Sequence, residues 1–180
     1  MDQLIESLER ALNCQNWYAA LFIALSLPDI CVSATQPRTS RKGYAEWFDA
    51  YVQPKYSIQP PTRMPTRFLS GNDCYAFRCA FLHEGMGNIT GQSARESLNS
   101  FIFVAPMPNG PCLHNNMKIM LSADGSEMRI LQLQVDLFSK EIIAGVEDWR
   151  EDLTEQQLDK FERGLLRIQE LGNDPFRLSF

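Results

Sequence analysis

Residues 16–27, "NWYAALFIALSL", limit what this chain can fold into more than any other stretch. They are apolar on nearly every side of a helix, and such a helix has to be surrounded by protein or by lipid. The flanks argue against lipid. Asp2, Glu6, Glu9 and a single Arg10 precede the run, so the basic leader of a signal peptide is missing. Pro28 and Asp29 end the run well short of a membrane span. The expectation is a central, buried helix, kinked near its end by Pro28, in a soluble cytoplasmic protein with no membrane contact.

Other segments supply helices to surround it. "DQLIESLERALN" places Leu4, Ile5, Leu8, Ala11 and Leu12 at helical spacing, with Asp2 available as a cap. "SRKGYAEWFDAYVQ" puts Tyr44, Trp47, Phe48 and Tyr51 on one stripe, and Pro54 ends it. The proline-rich stretch from Pro54 to Arg67 has no periodicity and reads as a connector. "LSGNDCYAFRCAFLHEG" opens with a capping pattern, Ser70 to Asp73, and closes with Gly85 as a left-handed stop. After about residue 97, "FIFVAP", "MKIMLS" and "MRILQLQV" lean towards strand, with "ADGS" as a hairpin signal between the last two. "DLFSKEIIAGVEDWRED" and "TEQQLDKFERGLLRIQEL" return to helical spacing, the latter opened by Thr154. The fold class expected is mainly α: one domain over residues 1–180, a bundle of five or six helices. A small antiparallel β insertion of two or three strands is expected at about 100–134. Strands and helices do not alternate, which excludes a doubly wound sheet.

The net charge is −5, so the whole protein does not advertise nucleic-acid binding, but the charge is uneven. Residues 36–67 carry six bases against two acids, whereas residues 124–160 carry ten acids against four bases. Five cysteines, an odd number without a CxxC pair, read as free thiols in a reducing compartment. No GxGxxG or Walker loop is present; "MGNITGQS" lacks a lysine and a preceding strand, and its "NIT" sequon has no role in a cytosolic protein. Cys112 and His114 could give two metal ligands where a site needs three or four, so neither metal nor cofactor is expected.

The remaining chemistry lies in "CYAFRCAFLHEG", residues 74–85, where an apolar helix carries Arg78 and, five residues on, His83. One reading is structural, with Arg78 paired to a carboxylate such as Asp29 and His83 a polar residue at a helix end. The other is chemical. An arginine with a histidine in the last turn, at the negative end of the helix dipole, attracts phosphate and can move a proton. Five residues turn a helix by about 500°, so the two side chains start roughly 140° apart and must bend towards each other to meet. Arg63 and Arg67, on the proline-rich connector, are candidate contacts for a backbone phosphate. Tyr44, Trp47 and Phe48 read as core, with base stacking as the alternative.

The string "RCAFLH" has the form Arg-x4-His on a capped helix, and it resembles the motif of HEPN domains, the higher-eukaryote and prokaryote nucleotide-binding domains. The wider pattern "LPDIC…YAEWFDAYV…CYAFRCAFLHEG" is similar to an uncharacterised group of bacterial HEPN-like proteins over roughly residues 15–90. The chain departs from the family in having Cys79 after the arginine, where a polar residue is common, and in its β insertion. The resemblance implies a metal-independent endoribonuclease of a defence or toxin-type system, with RNA as partner, no cofactor and a homodimeric site. Arg78 would hold the scissile phosphate and His83 would transfer the proton, giving a 2′,3′-cyclic phosphate. The rival expectation, of another class, is a non-catalytic helical dimer that acts as a protein-interaction module through its acidic C-terminal part.

Overall fold

The apolar stretch does form the central helix. In the computed structural model, which describes residues 1–36, 38–58, 66–122 and 124–168, it is α2, Trp17–Thr35. Around it lie α1 (Asp2–Asn13), α3 (Arg41–Tyr51), α4 (Gly71–Glu84), α5 (Val135–Glu151) and α6 (Glu155–Gly164), and α2 touches all five. Ala20, Leu21, Ala24, Leu25, Leu27 and Val32 of α2 are buried, so a helix long and apolar enough to cross a membrane here serves as the core of a bundle. The fold is mainly α.

Two expectations about helix ends need correction. Pro28 does not end α2, which continues to Thr35. Proline removes a backbone donor from the preceding turn, and in that turn the buried Tyr44 hydroxyl donates to the Leu25 carbonyl at 3.4 Å. Asp2 is not the cap of α1; Met1 holds that position, its amino group 2.8 Å from Glu162 on α6, while Asp2 accepts from Arg150 on α5. The caps at Ser70 and Thr154 form as expected, Asn16 and Ser40 cap α2 and α3, and Gly85 ends α4 at φ 70°.

The connector folds more than its sequence implied. Gln53–Tyr56 make a 3₁₀ turn, and two short strands, β1 (Ser57–Ile58) and β2 (Thr66–Arg67), pair antiparallel. The insertion holds β3 (Ser100–Val104), β4 (Asn116–Leu121) and β5 (Glu127–Gln134), in the order β3-β5-β4. It is mixed rather than antiparallel: β4 and β5 form the hairpin, turning at Gly125 with φ 81°, but β3 lies parallel to β5. Burial explains the order. Leu131 and Leu133 of β5 are fully buried, so β5 takes the middle. β4 exposes Ile119, Met120 and Leu121 and stays at the edge. Phe101 and Phe103 of β3 reach Phe77 of α4 with ring centroids 4.6 and 5.2 Å away, which fixes the sheet against the bundle.

The start of α4 is pinned. Gly71 packs so closely on α3 that a side-chain carbon there would lie 2.2 Å from the Ala45 carbonyl oxygen. Two residues on, the buried Asp73 carboxylate accepts from the Glu96 N–H at 2.7 Å, the Ser97 N–H and hydroxyl, the Leu98 N–H and the Ser70 hydroxyl. These bonds fasten the loop before β3 to α4, and so set where the far end of α4 points.

Candidate functional site

Along the seam between α2 and α4, the structure brings together Arg78, His83 and Asp29. Arg78 and Asp29 are half-buried, and His83 is exposed in the last turn of α4. The Arg78 guanidinium bends along its helix until Nη1 is 3.3 Å from His83 Nε2, closing the angular gap between the two positions. A guanidinium carries only donors, so His83 Nε2 accepts this bond. Arg78 Nη2 faces Asp29 Oδ2 at 3.0 Å across the seam. Both halves of the sequence reading therefore coexist: the arginine meets the histidine and is also paired with Asp29.

The pair is incompletely satisfied. Arg78 Nε is out of contact with solvent and has no hydrogen-bond partner, and the shielded Asp29 Oδ2 has the guanidinium alone, at 3.0 Å. Buried polar groups without partners are rare and cost about 1–3 kcal/mol each. Burial pushes the Asp29 carboxyl above its ordinary range, and Arg78 offsets this only in part. Burial by itself would lower Arg78, but Asp29, together with Cys79 and Tyr44, outweighs it, and the guanidinium is held charged. Tyr75 lies beside Cys79 and Arg78, and burial moves its hydroxyl upward. The arrangement offers a fixed cation and an accessible imidazole next to it. That is what a tetrahedral anion needs for binding and what a proton transfer at that anion needs for catalysis.

The other sequence candidates lie apart. Arg67, on β2, is exposed and 3.9 Å from Asp49, which accepts from the Gly71 N–H at the opposite end of α4. Fourteen residues of helix separate the two ends by roughly 20 Å. Arg63 lies outside the described residues. Tyr44, Trp47 and Phe48 are buried core residues and are closed to bases. His114 has both ring nitrogens occupied: Nδ1 accepts from the Gln134 N–H at 3.1 Å, and Nε2 lies 3.2 Å from Glu141, which also accepts from Tyr56. Among the described residues no three His, Cys, Asp or Glu side chains gather to hold a metal.

Sequence reasoning missed the exposed aromatics. Tyr18 and Phe22, on the first turns of α2, are 75% and 43% exposed, with ring centroids 6.3 and 4.9 Å from Phe81 of α4. Tyr18, with Trp17, Phe77, Phe81, Phe101 and Phe103, borders a groove of about 320 Å³, and Phe22 lies against Phe81 beside it. In a run apolar on every side, no local signal marks which face stays open.

In comparisons with known proteins, the chain matches no family model, no curated sequence and no solved structure.

Proposed function

We propose that this chain is a HEPN-like, cytoplasmic protein that binds single-stranded RNA and cleaves it without a metal ion, working as a homodimer. The observation that carries the reading is the Arg78–His83 contact at 3.3 Å, with His83 exposed in the last turn of α4. In the proposed reaction Arg78 turns from His83 to the scissile phosphate, and freed His83 Nε2 takes the proton of the RNA 2′-hydroxyl. The 2′-oxygen bonds to phosphorus, the bond from phosphorus to the 5′-oxygen breaks, and the leaving oxygen receives a proton from His83 of a second copy. The products are a 2′,3′-cyclic phosphate and a 5′-hydroxyl. Arg78 offsets the charge that develops on the phosphoryl oxygens.

The test is cleavage of single-stranded RNA in EDTA by the native protein and by His83→Ala. Loss of a general acid or base costs about 10²–10⁴ in rate. His83 is exposed, so the variant should keep its fold, with a stability change within about 1 kcal/mol. Activity that needs added metal, or that survives intact in a stable His83→Ala protein, would falsify the reading. Light scattering at micromolar concentration checks the dimer, and a monomer at every salt concentration removes the second histidine.

One observation favours a second reading. Arg78 is paired with Asp29, as it would be if the cation only joined α2 to α4. The protein would then be a non-catalytic helical dimer that binds a protein partner. In that case His83→Ala lowers the melting temperature and there is no cleavage to lose.

A further inference from the structure

We infer that the aromatic groove at the N-terminal half of α2 is a stacking site for an unpaired nucleobase, next to the phosphate held by Arg78. This rests on the RNA reading above and deepens it, by naming what the site recognises besides a phosphate.

Three observations meet here. The first is exposure. Tyr18, at 75%, and Phe22, at 43%, are large aromatics left open beside the buried Phe81. Tyr18 lies nearly parallel to Phe81, with 13° between the ring planes. A flat, open π-face is the element that stacks on a base regardless of sequence. The second is the chemistry of the groove. Its twelve lining residues include six aromatics and no charged side chain, which suits a neutral base and not a phosphate. The third is continuity with the candidate site. Phe81 and Arg78 are three residues apart on α4 and so share a face. Phe22 and Asp29 are seven apart on α2, about 10 Å along its axis. Phe22 meets Phe81 and Asp29 meets Arg78 across the same seam. A strand with one phosphate at Arg78 therefore finds an aromatic floor within one or two nucleotides.

The occupant follows from this pairing. A duplex keeps its bases stacked inward and cannot offer one to a groove, so the ligand is single-stranded RNA with a splayed base. A second copy of the chain would also cover exposed aromatics, but it would give the Arg78–His83 contact on the same seam no role.

The probe is a 2′-O-methyl RNA of about ten nucleotides, a length suited to single-strand sites, which its own 2′-oxygen cannot cleave. A second probe of the same length carries abasic positions. Affinity is measured in EDTA for the native protein, Tyr18→Ala, Tyr18→Phe and Phe22→Ala. Both residues are exposed, and circular dichroism checks that the variants fold. Stacking predicts that Tyr18→Ala weakens binding by about 5- to 150-fold, as expected for one base, that Tyr18→Phe keeps it, and that the abasic probe loses the same factor on the native protein. Native protein that binds the oligonucleotide while both alanine variants bind equally well overturns the stacking site and leaves the RNA reading standing. Native protein that binds neither probe overturns both. Alanine variants that turn from dimer to monomer with unchanged affinity make the groove a protein interface and end the inference.

Discussion

Two carboxylates at α4, one of its own and one from α2, are treated in opposite ways. Asp73, at the start of the helix, is fully buried and receives five donors, from Glu96, Ser97, Leu98 and Ser70. Asp29, on α2, meets this helix a turn and a half further along, at Arg78, and has that one cation near it. A buried charge is tolerable when its lone pairs are filled, and Asp73 meets that condition with short bonds. A half-buried charge with bonding capacity left open is poor architecture and a useful site. On this contrast, the first half of α4 is held by a fully bonded carboxylate and the second half by a single ion pair.

The largest effect should come from Asp73→Ala. It leaves four N–H or O–H donors from residues 96–98 facing an apolar methyl, together with the Ser70 hydroxyl, and should destabilise by about 3–5 kcal/mol. Urea unfolding gives the number, and a loss under about 1 kcal/mol would mean that Asp73 is not the pin. Gly71→Ala comes next. Its new carbon would meet backbone of α3 at 2.2 Å, and backbone cannot swing aside as a side-chain tip can. A cost of about 1–3 kcal/mol is expected, as for other overpacked sites. A variant as stable as the parent would show that α3 and α4 can separate without loss.

Arg78→Ala tests the other half of the contrast, and its effect should depend on pH. Burial raises the Asp29 carboxyl, and Arg78 lowers it by less. A carboxyl raised in the folded state keeps its proton longer there. Its contribution to stability is fullest below the unfolded value of about 3.9 and declines as pH rises through the folded value. Without Arg78 the folded value rises further and the decline is steeper. The variant should match the parent closely at about pH 4 and fall about 1–2 kcal/mol below it by pH 7, less than for a fully buried pair because both groups are partly solvated. Equal losses at both pH values would mean that Asp29 does not feel Arg78.

What could be read from the sequence was local. Ser70 and Gly85 bracket α4 because a cap and a left-handed stop are decided within a few residues. The buried role of α2 follows from its composition, and the core role of Tyr44, Trp47 and Phe48 from their spacing. Non-local facts were hidden. Asp73 reads as a helix cap, but most of its donors come from residues 23–25 positions later in the chain. The hairpin signal gave β4 and β5, whereas the parallel β3–β5 pair depends on which strand is apolar enough to occupy the middle of the sheet. The Arg78–His83 contact could be proposed from the motif but not from helix geometry, because it requires a long side chain to bend along its own helix.

The smallest effect belongs to Arg67, which separates the two ends of α4 by a different route. Among the described residues its one close charge is Asp49, 3.9 Å away and partly solvated, a geometry that contributes about 0–1 kcal/mol. Asp49 has a second task, accepting from the Gly71 N–H at 2.8 Å, and does not depend on Arg67 to perform it. Arg67→Ala should therefore change unfolding free energy by no more than about 0.5 kcal/mol. Asp49→Ala should cost about 1 kcal/mol through the lost cap. The same Arg67 variant also measures how far an RNA strand extends. If the strand reaches from the Arg78 end to the start of α4, a lost phosphate contact lowers the slope of log affinity against log salt by about 0.7 for single-stranded nucleic acid. An unchanged slope confines the bound strand to the Arg78 end, and a large loss of stability would mean that Arg67 helps to hold α4 in place.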